Sequence, residues 1–351
     1  MKLEDFNYGL PEELIAQHPL SERDDSRLLL LDRDSGTVRE TVFANFARYL
    51  KEGDIVVVNE TRVIPARLLG EKETGAKIEI FLTRSLGDGY WEALCRPSKR
   101  LSPGDRVLIG GSEYPVTIEK EIGGGQWRVS MPPGIPENQF IKEYGHVPLP
   151  PYIKREDAEE DQERYQTIFA RKEGSVAAPT AGLHFTDRVM RNIERKGAVV
   201  IPVTLHVGPG TFRPLDNDVV EENRLPHEQI MVRTDYWDQI RGARADGREI
   251  IAVGTTVTRA LEALTSGRVD DRTEVDIDGV EHILGATDLF IYPGFKFKLI
   301  DALVTNFHLP MSSLFVLVSA FAGREEMLRV YDWAVQRKYR FYSYGDAMFI
   351  R

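Results

Sequence analysis

The residues best suited to chemistry lie in one stretch, Gly174 to Gly210. Its ends read Ala177-Ala178-Pro179-Thr180-Ala181-Gly182-Leu183-His184-Phe185-Thr186 and Thr204-Leu205-His206-Val207-Gly208-Pro209-Gly210-Thr211-Phe212, two polar, glycine-rich segments with one histidine each. Loops of this kind can line the crevice beyond the strand ends of an open α/β sheet, where ligands bind. Gly254-Thr255-Thr256 opens a helical pattern, and free amides at such a start favour an anionic group, although many crossover helices begin this way. Asn306-Phe307-His308 ends a later apolar run. Asn59, Arg62 and Arg67 follow another, either as surface charge or as an anion or substrate contact. Arg96, Lys99 and Arg100 flank Pro97 as phosphate contacts or as a solvated loop. No G-x-G-x-x-G follows a strand, and no G-x-x-x-x-G-K-[ST], G-x-S-x-G or H-E-x-x-H occurs.

The elements that must hold these loops are readable. Between the two histidine segments Thr186 is an N-cap, Asp187 suits the helix dipole, Val189, Met190 and Ile193 keep helical spacing, and Gly197 stops the helix. Ala198 to Leu205 reads as a buried strand, Pro202 marking an edge or bulge, and the whole as a right-handed crossover. Upstream, a brief helix is expected at Leu10–Gln17, a strand at Leu28–Leu31, a helix from Val42 to Leu50 and a parallel-type strand at Ile55–Asn59. Residues 64–150 change character. Short strands at Lys77–Thr83, Tyr90–Arg96, Arg106–Ile109, Tyr114–Ile118 and Gln126–Met131 alternate with glycine turns, as in a small antiparallel barrel with Cys95 in its core. Pro148–Ile153 is an extended return linker, and Lys154–Arg164 a solvated helix or mobile loop. Strands are expected at Glu249–Val253, Asp288–Ile291, Leu303–His308 and Tyr339–Asp346, with helices opening at Gly254 and running from Ser312 or Ser313 to Ala322. The fold class is therefore an α/β main domain with crossover βαβ units, residues 1–63 and 151–351, plus a smaller inserted antiparallel β-barrel domain, 64–150.

A chain of 351 residues exceeds what one core usually fills. A formal net charge of -10 argues against a generic polyanion-binding surface while leaving room for a local basic patch. One cysteine excludes an intramolecular disulfide framework and a cysteine-based zinc cluster, and no apolar run approaches 18 residues, so a cytoplasmic protein without a membrane span is expected.

The Gly174–Thr186 and Thr204–Phe212 segments resemble the signature of the S-adenosylmethionine:tRNA ribosyltransferase-isomerase family of queuosine biosynthesis. So do Ala252–Thr256, Thr305–Pro310, Leu10–Gln17 and Tyr339-Arg340-Phe341-Tyr342-Ser343-Tyr344-Gly345-Asp346, in collinear order over essentially the whole chain. Met311-Ser312-Ser313 departs from the more usual Lys-Ser-Thr, and Val257 also departs, which removes a basic contact at 311. The resemblance implies transfer and isomerisation of the ribosyl part of S-adenosylmethionine onto the aminomethyl group of a 7-deazaguanine at the tRNA wobble position. Epoxyqueuosine forms, and adenine and methionine leave. It implies S-adenosylmethionine as a consumed co-substrate, no metal or tightly bound cofactor, the anticodon loop as partner and a monomer.

Such a reaction needs a base for a proton beside the sulfonium and a proton donor for departing adenine, roles that suit histidine. His184, His206 and His308 are the candidates, each with the alternative of a structural ring bonded to loop backbone. Thr180, Thr204 and Thr211 either hold ribose hydroxyls or cap turns. Gly182, Gly208, Gly210, Gly254, Thr255, Thr256, Asn306, Arg62 and Tyr344 complete the expected substrate contacts. Asp301, Asp346 and Glu228 could pair with cationic groups. Stacking candidates for the anticodon loop are Tyr292, Phe295 and Phe297 with Lys296 and Lys298, and Arg337-Lys338-Tyr339-Arg340 with Tyr342. A metal-dependent hydrolase would draw on His184, His206, His227, Glu228 and His308, whose spacing fits no standard ligand pattern. A non-catalytic RNA-binding protein would not need so many Gly-Thr-His loops.

Overall fold

The computed structural model describes residues 1–208 and 215–351. Its first strands are β1 (Arg27–Asp32), β2 (Thr37–Val42), β3 (Ile55–Asn59) and β4 (Thr61–Val63). Next come β5 (Arg67–Lys72), β6 (Lys77–Gly87), β7 (Tyr90–Arg96), β8 (Arg106–Ile109), β9 (Pro115–Gly123), β10 (Gln126–Ser130) and β11 (Gly145–His146). Then follow β12 (Lys172–Ser175), β13 (Val199–His206), β14 (Glu228–Arg233), β15 (Ile250–Val253), β16 (Asp270–Ile277), β17 (Val280–Thr287), β18 (Ala302–Asn306) and β19 (Ala347–Ile350). The helices are α1 (Glu137–Tyr144), α2 (Asp161–Arg164), α3 (Asp187–Lys196), α4 (Thr234–Ala245), α5 (Thr255–Ser266), α6 (Ser313–Ala322) and α7 (Arg324–Gln336).

A ten-stranded mixed sheet in the order β16-β17-β14-β13-β3-β15-β18-β19-β1-β2 carries the fold. Its centre, β13-β3-β15-β18, is parallel. β3 is buried at every residue, as a strand covered on both faces must be. Ile55 and Val57 enter the core shared with α4, α5, α6 and α7, whereas Val56 and Val58 enter a second core with Phe43, Phe46 and α3. The second architecture is a closed six-stranded antiparallel barrel, β5-β6-β7-β10-β9-β8, completed by pairing of β8 with β5. Closure depends on Gly70, where a Cβ would stand 2.4 Å from the Leu108 carbonyl oxygen. Leu68, Ile80, Ala93, Val107, Val116 and Trp127 fill the barrel. Cys95 packs with them, and burial pushes its thiol pKa up to about 12, which removes it from thiolate chemistry. Among the described residues no helix is long and apolar enough to cross a membrane.

Several sequence expectations hold in detail. α3 begins at Thr186, whose hydroxyl accepts from the Val189 N–H, and ends at left-handed Gly197. Pro202 lies in the sheet interior, yet its position makes sense. Val199 donates to Asp54 and Val203 accepts from Glu60, so by alternation the nitrogen of Pro202 faces away from β3, along a stretch that β14 does not pair.

Other expectations are corrected. β12 pairs with β4 in a separate two-stranded sheet, so the segment that leads into α3 does not form a crossover within the main sheet. Asp288–Ile291 is not a strand. The preceding hairpin β16–β17 takes the edge instead, turned by Asp278-Gly279 with φ of 55° and 79°, the two positive values that a two-residue type I′ turn requires. Tyr339–Asp346 is not a strand either. Its Asp346 carboxylate accepts the N–H groups of Arg27 and Arg340, and its aromatic rings are buried. Phe43–Tyr49 and Glu12–Leu14 are 3-10 turns rather than α-helices. The 154–164 run is anchored, not merely solvated, because Asp161 is fully buried in a two-bond pair with Arg155.

Candidate active site

Beyond the carboxyl ends of β3, β15 and β18 three segments meet. Ala177–Ala181, Gly254–Val257 and Thr305–His308 wall a cleft, with Asn59, Tyr152, Tyr342 and Ser343 contributing to its lining. This is the crevice that a parallel sheet offers a ligand. Among the described residues no lysine, arginine or carboxylate lines it, and the polarity they give it comes from amides, hydroxyls and one imidazole.

α5 points its first turn into the cleft. Gly254 precedes it with φ 96° and ψ 154°, and the first helical bond is Thr258 N–H to the Gly254 carbonyl at 3.1 Å. The amides of Thr255, Thr256 and Val257 therefore start the helix ahead of its hydrogen-bond ladder. A Cβ on Gly254 would have room, since Ala181 Cβ is its nearest neighbour at 3.7 Å, so substitution is resisted by backbone strain alone. Gly254→Ala is expected to cost about 1–3 kcal/mol of stability, read by chemical denaturation, and to raise the KM of the cleft's ligand as the first turn shifts.

The inner wall is a hydrogen-bonded relay. Thr180 donates to Asn306 Oδ1 at 2.9 Å, and Asn306 Nδ2 lies 3.0 Å from His184 Nε2. His184 Nδ1 lies 2.8 Å from Ser26 Oγ, which donates its own proton to the Arg23 carbonyl at 3.1 Å. Ser26 must then accept from Nδ1–H, leaving Nε2 to accept from Asn306. The ring is neutral and both nitrogens are committed. Burial first, then Arg23 and Arg340, push its pKa down to about 3. His184 thus positions Asn306 from behind and does not itself line the cleft.

His308 does line it. Its carbonyl accepts from the Tyr8 hydroxyl, its N–H donates to Tyr331 Oη at 3.1 Å, and its Nε2 lies 2.8 Å from Thr305 Oγ1. Burial pushes its pKa down to about 3. Its Nδ1 makes no hydrogen bond among the described residues. His206 stands apart, with Nδ1 2.9 Å from Thr61 Oγ1 and its ring against Gly174, and burial lowers its pKa.

Of the expected contacts, Thr180, Gly254, Thr255, Thr256, Asn306 and His308 come together in the cleft. The others lie elsewhere. Thr204 donates to Glu60, Gly182 packs on Thr167, Tyr344 donates to Asp161, and Arg62 is exposed 3.9 Å from Glu173. Gly208 follows β13 outside the cleft lining, while Gly210 and Thr211 lie outside the described residues. Asp301 pairs with Arg244. The residues weighed as metal ligands do not converge: His184, His206 and His308 have separate partners, Glu228 pairs with Arg259, and His227 gathers instead with Asp270 and Asp288. Arg96, Lys99 and Arg100 are exposed on the barrel. Tyr292, Phe295 and Phe297 pack partly buried against the main core, on a loop whose Lys298, Leu299 and Ile300 amides donate to buried Glu262.

Sequence reasoning missed Tyr152 and Ser343. Tyr152 meets Tyr342 edge-on with ring centroids 3.8 Å apart, and its hydroxyl lies 2.5 Å from Ser343 Oγ. The signal was an aromatic directly after three prolines, Pro148, Pro150 and Pro151, in a stretch read only as a linker.

The family model described as "Queuosine biosynthesis protein" matches residues 3–350. The S-adenosylmethionine:tRNA ribosyltransferase-isomerase of Halothermothrix orenii is 49% identical, covering 100% of both chains, and that of Geobacter sulfurreducens is 47% identical with the same coverage. The crystal structure of the S-adenosylmethionine tRNA ribosyltransferase of Thermotoga maritima matches with a TM-score of 0.55 and 35% identity, over 99% of this chain and 100% of that one. With a family match over nearly every residue and relatives of this similarity along the full length, the chain belongs to the queuosine biosynthesis protein family.

Proposed function

We propose that this chain is an S-adenosylmethionine:tRNA ribosyltransferase-isomerase, a transferase that uses S-adenosylmethionine and tRNA as substrates. It moves the ribosyl group onto the aminomethyl group of a 7-deazaguanine at the wobble position, makes epoxyqueuosine and releases adenine and methionine. The observation that carries this reading is the cleft at the ends of β3, β15 and β18, in which no described lining residue bears a charge. A sulfonium is a cation that aromatic faces and carbonyl groups hold without competing ion pairs, and Tyr152 and Tyr342 supply such faces. The amides opening α5 suit an anionic or electron-rich group.

Within this reading His308 touches the substrate and takes the proton beside the sulfonium. With Nε2–H donated to Thr305, its Nδ1 carries the lone pair. Transfer leaves the substrate as a net-neutral ylide, positive at sulfur and negative at the adjoining carbon, and puts the proton and its charge on the ring, so the net charge of the buried site does not change. Asn306 and Thr180 contact the ribose, oriented by His184. Arg62, His206 and Gly208 contact the tRNA as it enters, Thr204 supports them from β13, Gly210 and Thr211 are further substrate contacts, and Tyr344 steadies the far wall. Residues 64–150 act as an inserted domain that presents Arg96, Lys99 and Arg100 to the RNA. The protein works as a cytoplasmic monomer with no tightly bound cofactor.

The test is mass spectrometry of a reaction with S-adenosylmethionine and an anticodon stem-loop carrying the aminomethyl-deazaguanine. Free adenine and methionine with a cyclopentane-epoxide adduct on the RNA are expected. S-adenosylhomocysteine would instead mean methyl transfer and end the ribosyl-transfer reading.

A further inference from the structure

Behind the inner wall of the cleft lies a second, small and partly open hollow, lined by Leu20, Arg23, Arg164, His184, Ser343 and Tyr344 among others. The two hollows share Ser343, and His184 faces this one while its Nε2 holds Asn306 in the other. Arg340 adjoins it, bonding the carbonyl of His18 next to its rim.

The three arginines are unusual in what they lack. None forms an ion pair among the described residues. Arg23 gives Nη1 to the carbonyls of Gln166 and Leu183 and Nη2 to that of Glu163. Arg164 gives Nη2 to the carbonyl of Leu20 at 2.5 Å. Arg164 Nε and Arg340 Nη1 are buried with no acceptor among the described residues. The charges are close enough to act on one another. Arg164 opposes the protonation of Arg23, both Arg23 and Arg340 oppose that of His184, and burial lowers the pKa of Arg23 and of Arg340. The carboxylates within reach are Glu163, which is exposed, and Asp346, whose oxygens already take the amides of Arg27 and Arg340. Half-buried guanidinium groups gathered with only exposed Glu163 and the already occupied Asp346 as counter-charges are eased when an anion joins them, and their donor geometry matches the oxygens of a phosphate.

We propose that this hollow is an anion site which takes a phosphodiester of the substrate RNA, the one adjoining the nucleoside whose base occupies the cleft. The inference rests on the tRNA reading above. The α-carboxylate of S-adenosylmethionine is the competing anion, but its neighbouring ammonium would face three cations with only the exposed Glu163 to hold it. A phosphodiester carries no such cation, and it sits one nucleoside away from its base, as this hollow sits one wall away from the cleft.

The experiment uses the full chain and stem-loops bearing a neutral methylphosphonate at either phosphate flanking the modified nucleoside. One of the two replacements is expected to weaken binding to the wild-type protein about tenfold. Arg164→Gln and Arg340→Gln should each weaken binding of the unmodified backbone comparably and then be indifferent to that methylphosphonate. The slope of log K against log salt should fall by about 0.7 for each lost contact, with the KM for S-adenosylmethionine unchanged. The wild-type arm needs no folded variant. Wild-type binding that ignores both methylphosphonates, or penalties that add between variant and modified RNA, would overturn the site. A rise in the KM for S-adenosylmethionine with RNA binding intact would also overturn it, by assigning the hollow to the carboxylate. Wild-type protein that neither binds nor turns over the unmodified-backbone RNA would overturn the tRNA reading itself, a failure seen before any arginine is changed.

Discussion

His308→Gln is expected to slow release of adenine roughly 100- to 10,000-fold while leaving the fold and the binding of S-adenosylmethionine nearly intact. The substitution keeps the backbone bonds that fix this position, the carbonyl to Tyr8 and the N–H to Tyr331, and it can keep a donor near Thr305. What it removes is the one imidazole among the described residues lining the cleft, the side chain there with a lone pair to receive the substrate's proton, because the tyrosines are held protonated by burial. The check is a single-turnover assay of adenine release beside an equilibrium measurement of S-adenosylmethionine binding. A rate within threefold of wild type would sink the assignment of His308. His184→Gln makes a useful contrast: a ring that acts only through Asn306 should raise KM more than it lowers kcat, and a bare fall in kcat would contradict the positioning role.

Acid should destabilise this protein well before its carboxylates titrate. His184 and His308 have pKa values near 3 when folded, against about 6.5 for an unfolded histidine. The folded value is the lower one, so no penalty operates above about pH 6.5. Below that the unfolded chain binds protons that the native rings refuse, and stability falls continuously toward pH 3. Between pH 7 and pH 5 each ring should cost about 2 kcal/mol and the pair about 4 kcal/mol, a large share of the roughly 5–15 kcal/mol that holds a domain together. His206, also lowered by burial, adds in the same sense, while Asp346, raised by burial, opposes it at more acidic pH. Denaturant unfolding at pH 7 and pH 5 measures the effect. A stability that stays flat across that interval would mean that one or both rings are charged in the native protein. The cause is assigned by the His184→Gln and His308→Gln variants, each of which should flatten the slope by about half.

Much of the fold was legible because it is written in local spacing. Ile55–Asn59 is apolar without a break, Thr186 and Gly197 bracket one helix, and Tyr90–Arg96 and Arg106–Ile109 are strands at the expected boundaries. The barrel's sixth strand, Arg67–Lys72, was not, since its charged residues and Gly70 read as surface until barrel closure shows why a glycine must meet the Leu108 carbonyl. The Tyr339–Asp346 segment alternates like a strand but folds as a loop, because Asp346 takes up backbone amides that strand pairing would otherwise use.

The site divides in the same way. The chemistry-bearing segments, with Thr180, Gly254, Asn306 and His308, were identifiable from residue type at the ends of strands. Which histidine faces the ligand was not. His184, His206 and His308 occur in similar polar settings along the chain, and only packing separates a ring with both nitrogens committed behind the wall from one outside the cleft and one lining it. Nor could spacing show that Arg23, Arg164 and Arg340, as much as 317 positions apart by their numbering, surround one hollow. Local pattern determines what each segment can become, because backbone bonding and side-chain periodicity act over a few residues. Which polar groups lose water together, and so which are neutral, committed or left with an unmet charge, is decided only when distant segments close on one another.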